Sequence, residues 1–184
     1  MKKIFNLSKI ILSAGLLLLT MNSCKNETKN SKDVAKNKVK KDSTLLHDAT
    51  SIKLSEIQIG KLELMNGSSE DVKKFAETLL ADHKKSLNDL KMLAIDKTIT
   101  IPTSINDEGR KEYDSLNKVS GADFDKKFID MMTEGHNEAI DKMTQISKEA
   151  TDDDIKEWAS EQIVLLTNHY KEAKKLQQKM DSNT

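Results

Sequence analysis

Three histidines and one glutamate hold the chemistry that this sequence offers. His83 falls in the apolar series Val72, Ala76, Leu79, His83, Leu87, Leu90, Ala94. His136 falls in Phe124, Phe128, Met132, His136, Ala139, Met143, Ile146, Ala150, and His169 in Ile155, Ala159, Gln162, Leu166, His169, Ala173, Leu176, Met180. Glu56 is the polar member of Leu45, Ala49, Ile52, Glu56, Ile59. Steps of three and four residues put each series on one face of a helix. Every polar member stands near the middle of its own stripe, so four helices packed together would bring the four to one level. A polar group buried alone costs on the order of 1–3 kcal/mol, so these four must meet each other, a water or an ion. The remaining histidine, His47, lies near the start of the first series and outside the pattern.

Three imidazoles and a carboxylate suit Zn(II), Fe(II) or Mn(II), and helical bundles house such ions in their interiors. The competing reading is a hydrogen-bonded polar layer that sets helix register. A carboxylate-bridged di-iron site requires two Glu-x-x-His pairs. Here Leu80, Thr133 and Leu166 stand three residues before the histidines, so ferroxidase or oxygenase chemistry of that kind is not expected. Met131, Met132, Met143 and Met180 are spaced as core filler rather than as soft-metal ligands. No Gly-rich phosphate loop, nucleophile elbow or His-Glu-x-x-His motif is present. The chain does not read as a conventional enzyme.

The elements that must position these residues are helices throughout, since no stretch alternates with period two. A chain of 184 residues, 36% hydrophobic, 4% aromatic and with one proline, fits one helical domain plus a tail. The first helix is predicted over about 45–66, where Gly67-Ser68-Ser69 stops it. Ser68 or Ser69 caps the second, which has Glu70 and Asp71 in its first turn and runs to about Asp96. The short link makes the two antiparallel. Residues 97–120 hold Pro102 and a short helix over about 108–118. Gly121 precedes a third long helix over about 122–150, and Thr151 caps a fourth that opens on Asp152, Asp153 and Asp154 and ends near Met180.

Ahead of these helices, Lys2, Lys3 and Lys9 lead into an apolar run, Ile10 to Leu19, that stops before Ser23-Cys24. Such a run is too short to cross a bilayer as a mature helix. It resembles a bacterial lipoprotein signal, residues 1–23, whose cleavage leaves Cys24 acylated; Met21 stands where that signal commonly has Leu. With the only cysteine so used, disulfides and thiol catalysis are excluded from the folded domain. Residues 25–44 carry seven Lys against Glu27, Asp33 and Asp42 and read as a disordered tether. Residues 45–184 carry 20 basic and 27 acidic residues, which excludes nucleic acid as the natural partner. Lys25 follows the cysteine in place of the Asp that retains enteric lipoproteins in the inner membrane, so an outer-membrane lipoprotein facing the periplasm is expected.

The runs SEIQIGKLEL (from Ser55), VKKFAETLLADHKKSLNDLKMLA (from Val72), SGADFDKKFIDMMTEGH (from Ser120) and NHYKEAKKL (from Asn168) resemble the bacterial family called domain of unknown function 4142. That resemblance implies a ferritin-like fold, export or lipid anchoring, and no settled activity. The family's Glu in the first helix and His in the last are matched by Glu56 and His169, and its first Asp-His by Asp82-His83. At the second Asp-His this chain has Gly135-His136 and lacks the acid. The resemblance also implies a long crossover between the second and third long helices, for which residues 97–120 are long enough. The expected fold is therefore all-α: a ferritin-like four-helix bundle over 45–184, preceded by the signal peptide and by Cys24 with its tether. The expected function is a lipid-anchored binding or envelope-associated module, its acidic surface open to another envelope protein. The alternative is a metal-binding or metal-dependent redox protein using Glu56, His83, His136 and His169.

Overall fold

The computed structural model describes residues 25–182; the stretch expected to be a signal peptide, residues 1–23, and Cys24 lie outside the described residues. Five helices and no strand occur among them: α1 (Lys25–Asn66), α2 (Glu70–Asp96), α3 (Asp107–Leu116), α4 (Ala122–Glu149) and α5 (Asp153–Ser182). The stripes of α2 and α4 are buried along their whole length, and that of α5 from Ile155 to Leu176. In α1 Ile52 is only half-buried, while Leu46, Lys53 and Leu62 are buried beside the predicted stripe.

Helix-end contacts fix the directions of the chain. At one end, Asp125 in the first turn of α4 accepts hydrogen bonds from the Ser68 and Ser69 amides, both at 2.8 Å, which seats α4 against the α1–α2 link. Also at this end, Lys179 of α5 reaches Asp71 of α2, and Lys126 of α4 reaches Asp181 at 3.0 Å. At the other end, Asp42 accepts from the Thr151 amide and hydroxyl, both at 2.7 Å, and Lys97 pairs with Asp152 at 3.1 Å. So α1 and α5 run one way, and α2 and α4 the other. The α2–α4 connection must travel the length of the bundle, and α3 lies on that path, packed on α1 and α4. The four long helices pack as α1/α2, α2/α5, α5/α4 and α4/α1, each neighbouring pair antiparallel.

The buried apolar residues gather in two large clusters and a small third of Ile57, Leu80 and Leu87 between α1 and α2. One large cluster gathers Leu46, Ala49, Leu90, Met143, Ile146, Ile155 and Trp158; the other gathers Ile59, Leu79, Leu116, Phe124, Phe128, Met132 and Leu176. Between these two, where each helix has its mid-stripe polar residue, lies a polar layer.

Three local expectations change. The tether read as disordered is helical from Lys25, as the first part of α1. Its side chains from Lys32 to Lys41 are exposed, and Lys41 reaches Glu149 of α4 at 3.5 Å. With no Gly or Pro to stop it, a helix nucleated by the packed residues beyond Asp42 extends backwards one hydrogen bond per residue. Ser69 precedes α2 but makes no side-chain cap; the Asp125 carboxylate instead accepts from the Ser68 and Ser69 amides just ahead of the helix. At α5 the cap is Asp152, which accepts from the Asp154 amide at 3.0 Å, while Thr151 is held by Asp42.

Candidate metal centre

The four predicted residues meet, one from each long helix. The rings of His83, His136 and His169 form a nearly equilateral triangle, with centroids 5.5, 5.1 and 5.3 Å apart. One ring nitrogen from each lies within 4.8 Å of the other two. Glu56 closes the group: its Oε2 is 3.5 Å from His83 Nε2 and its Oε1 is 3.8 Å from His136 Nε2. His83 and His136 have no exposed surface, His169 retains 4% and Glu56 6%. His47 is exposed and stays outside the cluster, as its position in the sequence predicts.

Hydrogen bonds on the outer side of the rings decide which nitrogens face the centre with a lone pair. His136 Nδ1 is 2.7 Å from the Met132 carbonyl oxygen, which can only accept, so Nδ1 bears the proton. Its Nε2 is then a lone-pair donor, buried and without a partner. His169 Nε2 donates to Asp82 Oδ2 at 2.8 Å, and its Nδ1 is likewise buried and partnerless. Among the described residues, neither ring nitrogen of His83 and neither oxygen of Glu56 has a hydrogen-bond partner. An imidazole fixed on one side by a carbonyl or carboxylate, with its other nitrogen free, is what a metal-ligating histidine requires.

Electrostatics favour the same state. Burial first, and then the nearby Lys53 amine, push the His83 imidazole well below its usual range. Burial also lowers His169, against the opposing hydrogen bond that it donates to Asp82. Both are therefore neutral at neutral pH, with lone pairs available. Burial raises the Glu56 carboxyl, while His136 and Lys53 oppose the rise.

Residue-level reasoning missed the neighbours of this layer. Lys53, 1% exposed, donates from Nζ to Gln162 Oε1 at 3.0 Å and lies 5.6 Å over the Trp158 ring; Ser86 donates to the same oxygen. Burial pulls the Lys53 amine down to about 8, with Glu56 opposing. The signal was in the sequence: Lys53 and Ser86 stand one turn from Glu56 and His83. Elsewhere, buried Glu63 at the far end of α1 is pushed up to about 8, by burial first and then by the neighbouring Asp125.

A cleft of about 690 Å³ opens between α1 and α4 and reaches Glu56. Helix α3 forms its third wall, seated so closely that a Cβ on Gly109 would overlap Ser55 Oγ. The buried cluster is thus connected to solvent on one side.

Comparison with known proteins agrees with this architecture. A fragment from Deinococcus radiodurans described as DUF305 superposes with a TM-score of 0.66 at 9% identity, over 75% of this chain and 95% of that one. A putative secreted DUF305 protein from Streptomyces coelicolor gives 0.66 at 11% identity, over 76% of this chain and 93% of its own. At such identities the likeness is one of fold, that of related helical domains. No curated protein matches the chain. The family model described as Domain of unknown function (DUF4142) matches residues 27–176, including all four residues of the cluster, and the chain belongs to that family.

Proposed function

We propose that this protein binds one divalent first-row transition ion, Zn(II), Fe(II) or Mn(II), through His83, His136, His169 and Glu56. The observation that carries this reading is the set of six buried atoms with no hydrogen-bond partner: both oxygens of Glu56, both ring nitrogens of His83, His136 Nε2 and His169 Nδ1. A register-setting layer would pair those atoms with one another, because each one left unmade costs about 1–3 kcal/mol. A first-row ion takes nitrogen at about 2.1 Å and so holds neighbouring donors about 3.3 Å apart. From separations of up to 4.8 Å, the rings need only draw in by a fraction of their present spacing.

The bundle, with its end-to-end connection between diagonally placed helices, we read as ferritin-like. The N-terminal sequence supports a lipoprotein anchored through Cys24 to the outer membrane, with the metal-binding domain in the periplasm. On that reading α1 leads directly from the anchor into the bundle. Replacing Cys24 by Ser should move the protein from the membrane to the soluble fraction; a protein that stays with the membrane contradicts the anchor. For the metal, elemental mass spectrometry of the purified protein should find close to one ion per chain, lost in His83→Ala, His136→Ala and His169→Ala. Lys53→Met alters the same layer without removing a ligand and should keep the ion. A protein that remains metal-free after incubation with each ion contradicts the proposal.

A further inference from the structure

The cleft that ends on Glu56 is strongly acidic. Glu108 and Glu112 of α3 face it from one wall, and Glu134 and Glu138 of α4 from another. None of the four forms an ion pair among the described residues, whereas Asp48 on the same rim is neutralised by Lys142 at 3.2 Å. Each pair is spaced i, i+4, a placement of like charges that weakens a helix. The rim is therefore not arranged for stability. Partial desolvation, then the charges of Glu108, Glu138 and Glu56, raise the Glu112 carboxyl, so the rim and the buried end of the cleft feel one another. At that end, Glu56 is more than nine-tenths buried, and among the described residues neither of its oxygens has a hydrogen-bond partner.

We propose that this cleft is the route by which a hydrated divalent cation reaches the buried centre, with Glu108, Glu112, Glu134 and Glu138 as an outer carboxylate station and Glu56 as the relay to the imidazoles. Oxygen donors hold a cation that keeps most of its water; neutral imidazoles bind it once that water is shed. A cleft lined by one sign of charge also concentrates the opposite ion and can raise the association rate by about 10- to 1,000-fold. The inference rests on the metal reading above, and its test separates the two.

Co(II) is mixed with the full-length protein in a stopped-flow instrument, and the d–d absorbance that reports nitrogen ligation is followed at low and high salt. The quadruple variant E108Q/E112Q/E134Q/E138Q is compared with E70Q/E77Q/E157Q/E161Q, which removes the same charge from exposed positions elsewhere. The cleft variant should bind at least about tenfold more slowly at low salt, lose most of its salt dependence and reach the same final absorbance. The control should bind nearly as fast as the parent. Equal slowing in both variants, or in neither, overturns the route while leaving the centre standing. A parent protein that develops no ligand-field absorbance overturns both. Relief of like-charge repulsion should leave the cleft variant at least as stable as the parent, which a melting curve verifies.

Discussion

Replacing Asp82 by Asn should separate a metal centre from a structural polar layer. Asp82 holds the Nε2–H of His169 and thereby leaves Nδ1 free for the centre. Loss of that charged partner should weaken metal affinity by about 10- to 100-fold, as at other outer-sphere partners, in a competition titration with a chelating dye. A half-exposed residue whose removal changes affinity much more than melting temperature acts through the ligand it orients. Glu63 has a different consequence. Its carboxyl is raised from 4.5 to about 8 in the folded chain. Between those values the unfolded chain has released a proton that the folded chain keeps, so stability falls as pH rises. Glu63→Gln mimics the protonated form and should flatten that fall, giving a higher melting temperature than the parent at pH 8. The four central residues were legible because each interrupts an apolar stripe at its midpoint. The Asp82–His169 and Glu63–Asp125 pairs were not, because they depend on how α1, α2, α4 and α5 rotate about their axes, which a stripe about a third of a turn wide does not specify.

At the scale of the element, α3 and the start of α1 carry the predictions. Gly109 lets α3 seat on α1, since a Cβ there would meet Ser55 Oγ. Gly109→Ala should cost about 1–3 kcal/mol in denaturant unfolding. Removing the opposing hydroxyl with Ser55→Ala should recover part of that loss. Helix α1 is the element that the sequence described least well. Low hydropathy and seven lysines read as disorder, but Asp42 within that stretch is buried and holds Thr151 ahead of α5. The domain therefore begins before residue 45. A chain starting at residue 45 should lose about 1–3 kcal/mol, the worth of a charge-assisted pair of hydrogen bonds, relative to one starting at residue 38. The boundaries of α2, α4 and α5 were legible to within two or three residues because Gly67, Gly121 and the acids of each first turn punctuate the chain there.

At the scale of the whole molecule, the polar layer separates the two large apolar clusters, and the end-to-end connection places α3 over the cleft that reaches Glu56. The crossover length was readable in the sequence; the cleft was not, since it needs the packing of α3 against two helices distant from it in the chain. Bound metal should couple to folding: at 100 times its dissociation constant, an ion held only by the native state adds about 2.7 kcal/mol. The most direct measurement of the central claim is anomalous diffraction from crystals of the metal-loaded protein, recorded above and below the absorption edge of the ion. The account predicts one strong peak bounded by His83, His136, His169 and Glu56, with His136 ligating through Nε2 and His169 through Nδ1. Ordered water with normal hydrogen bonds at that position, and anomalous signal only at surface carboxylates, would contradict it and make the layer structural.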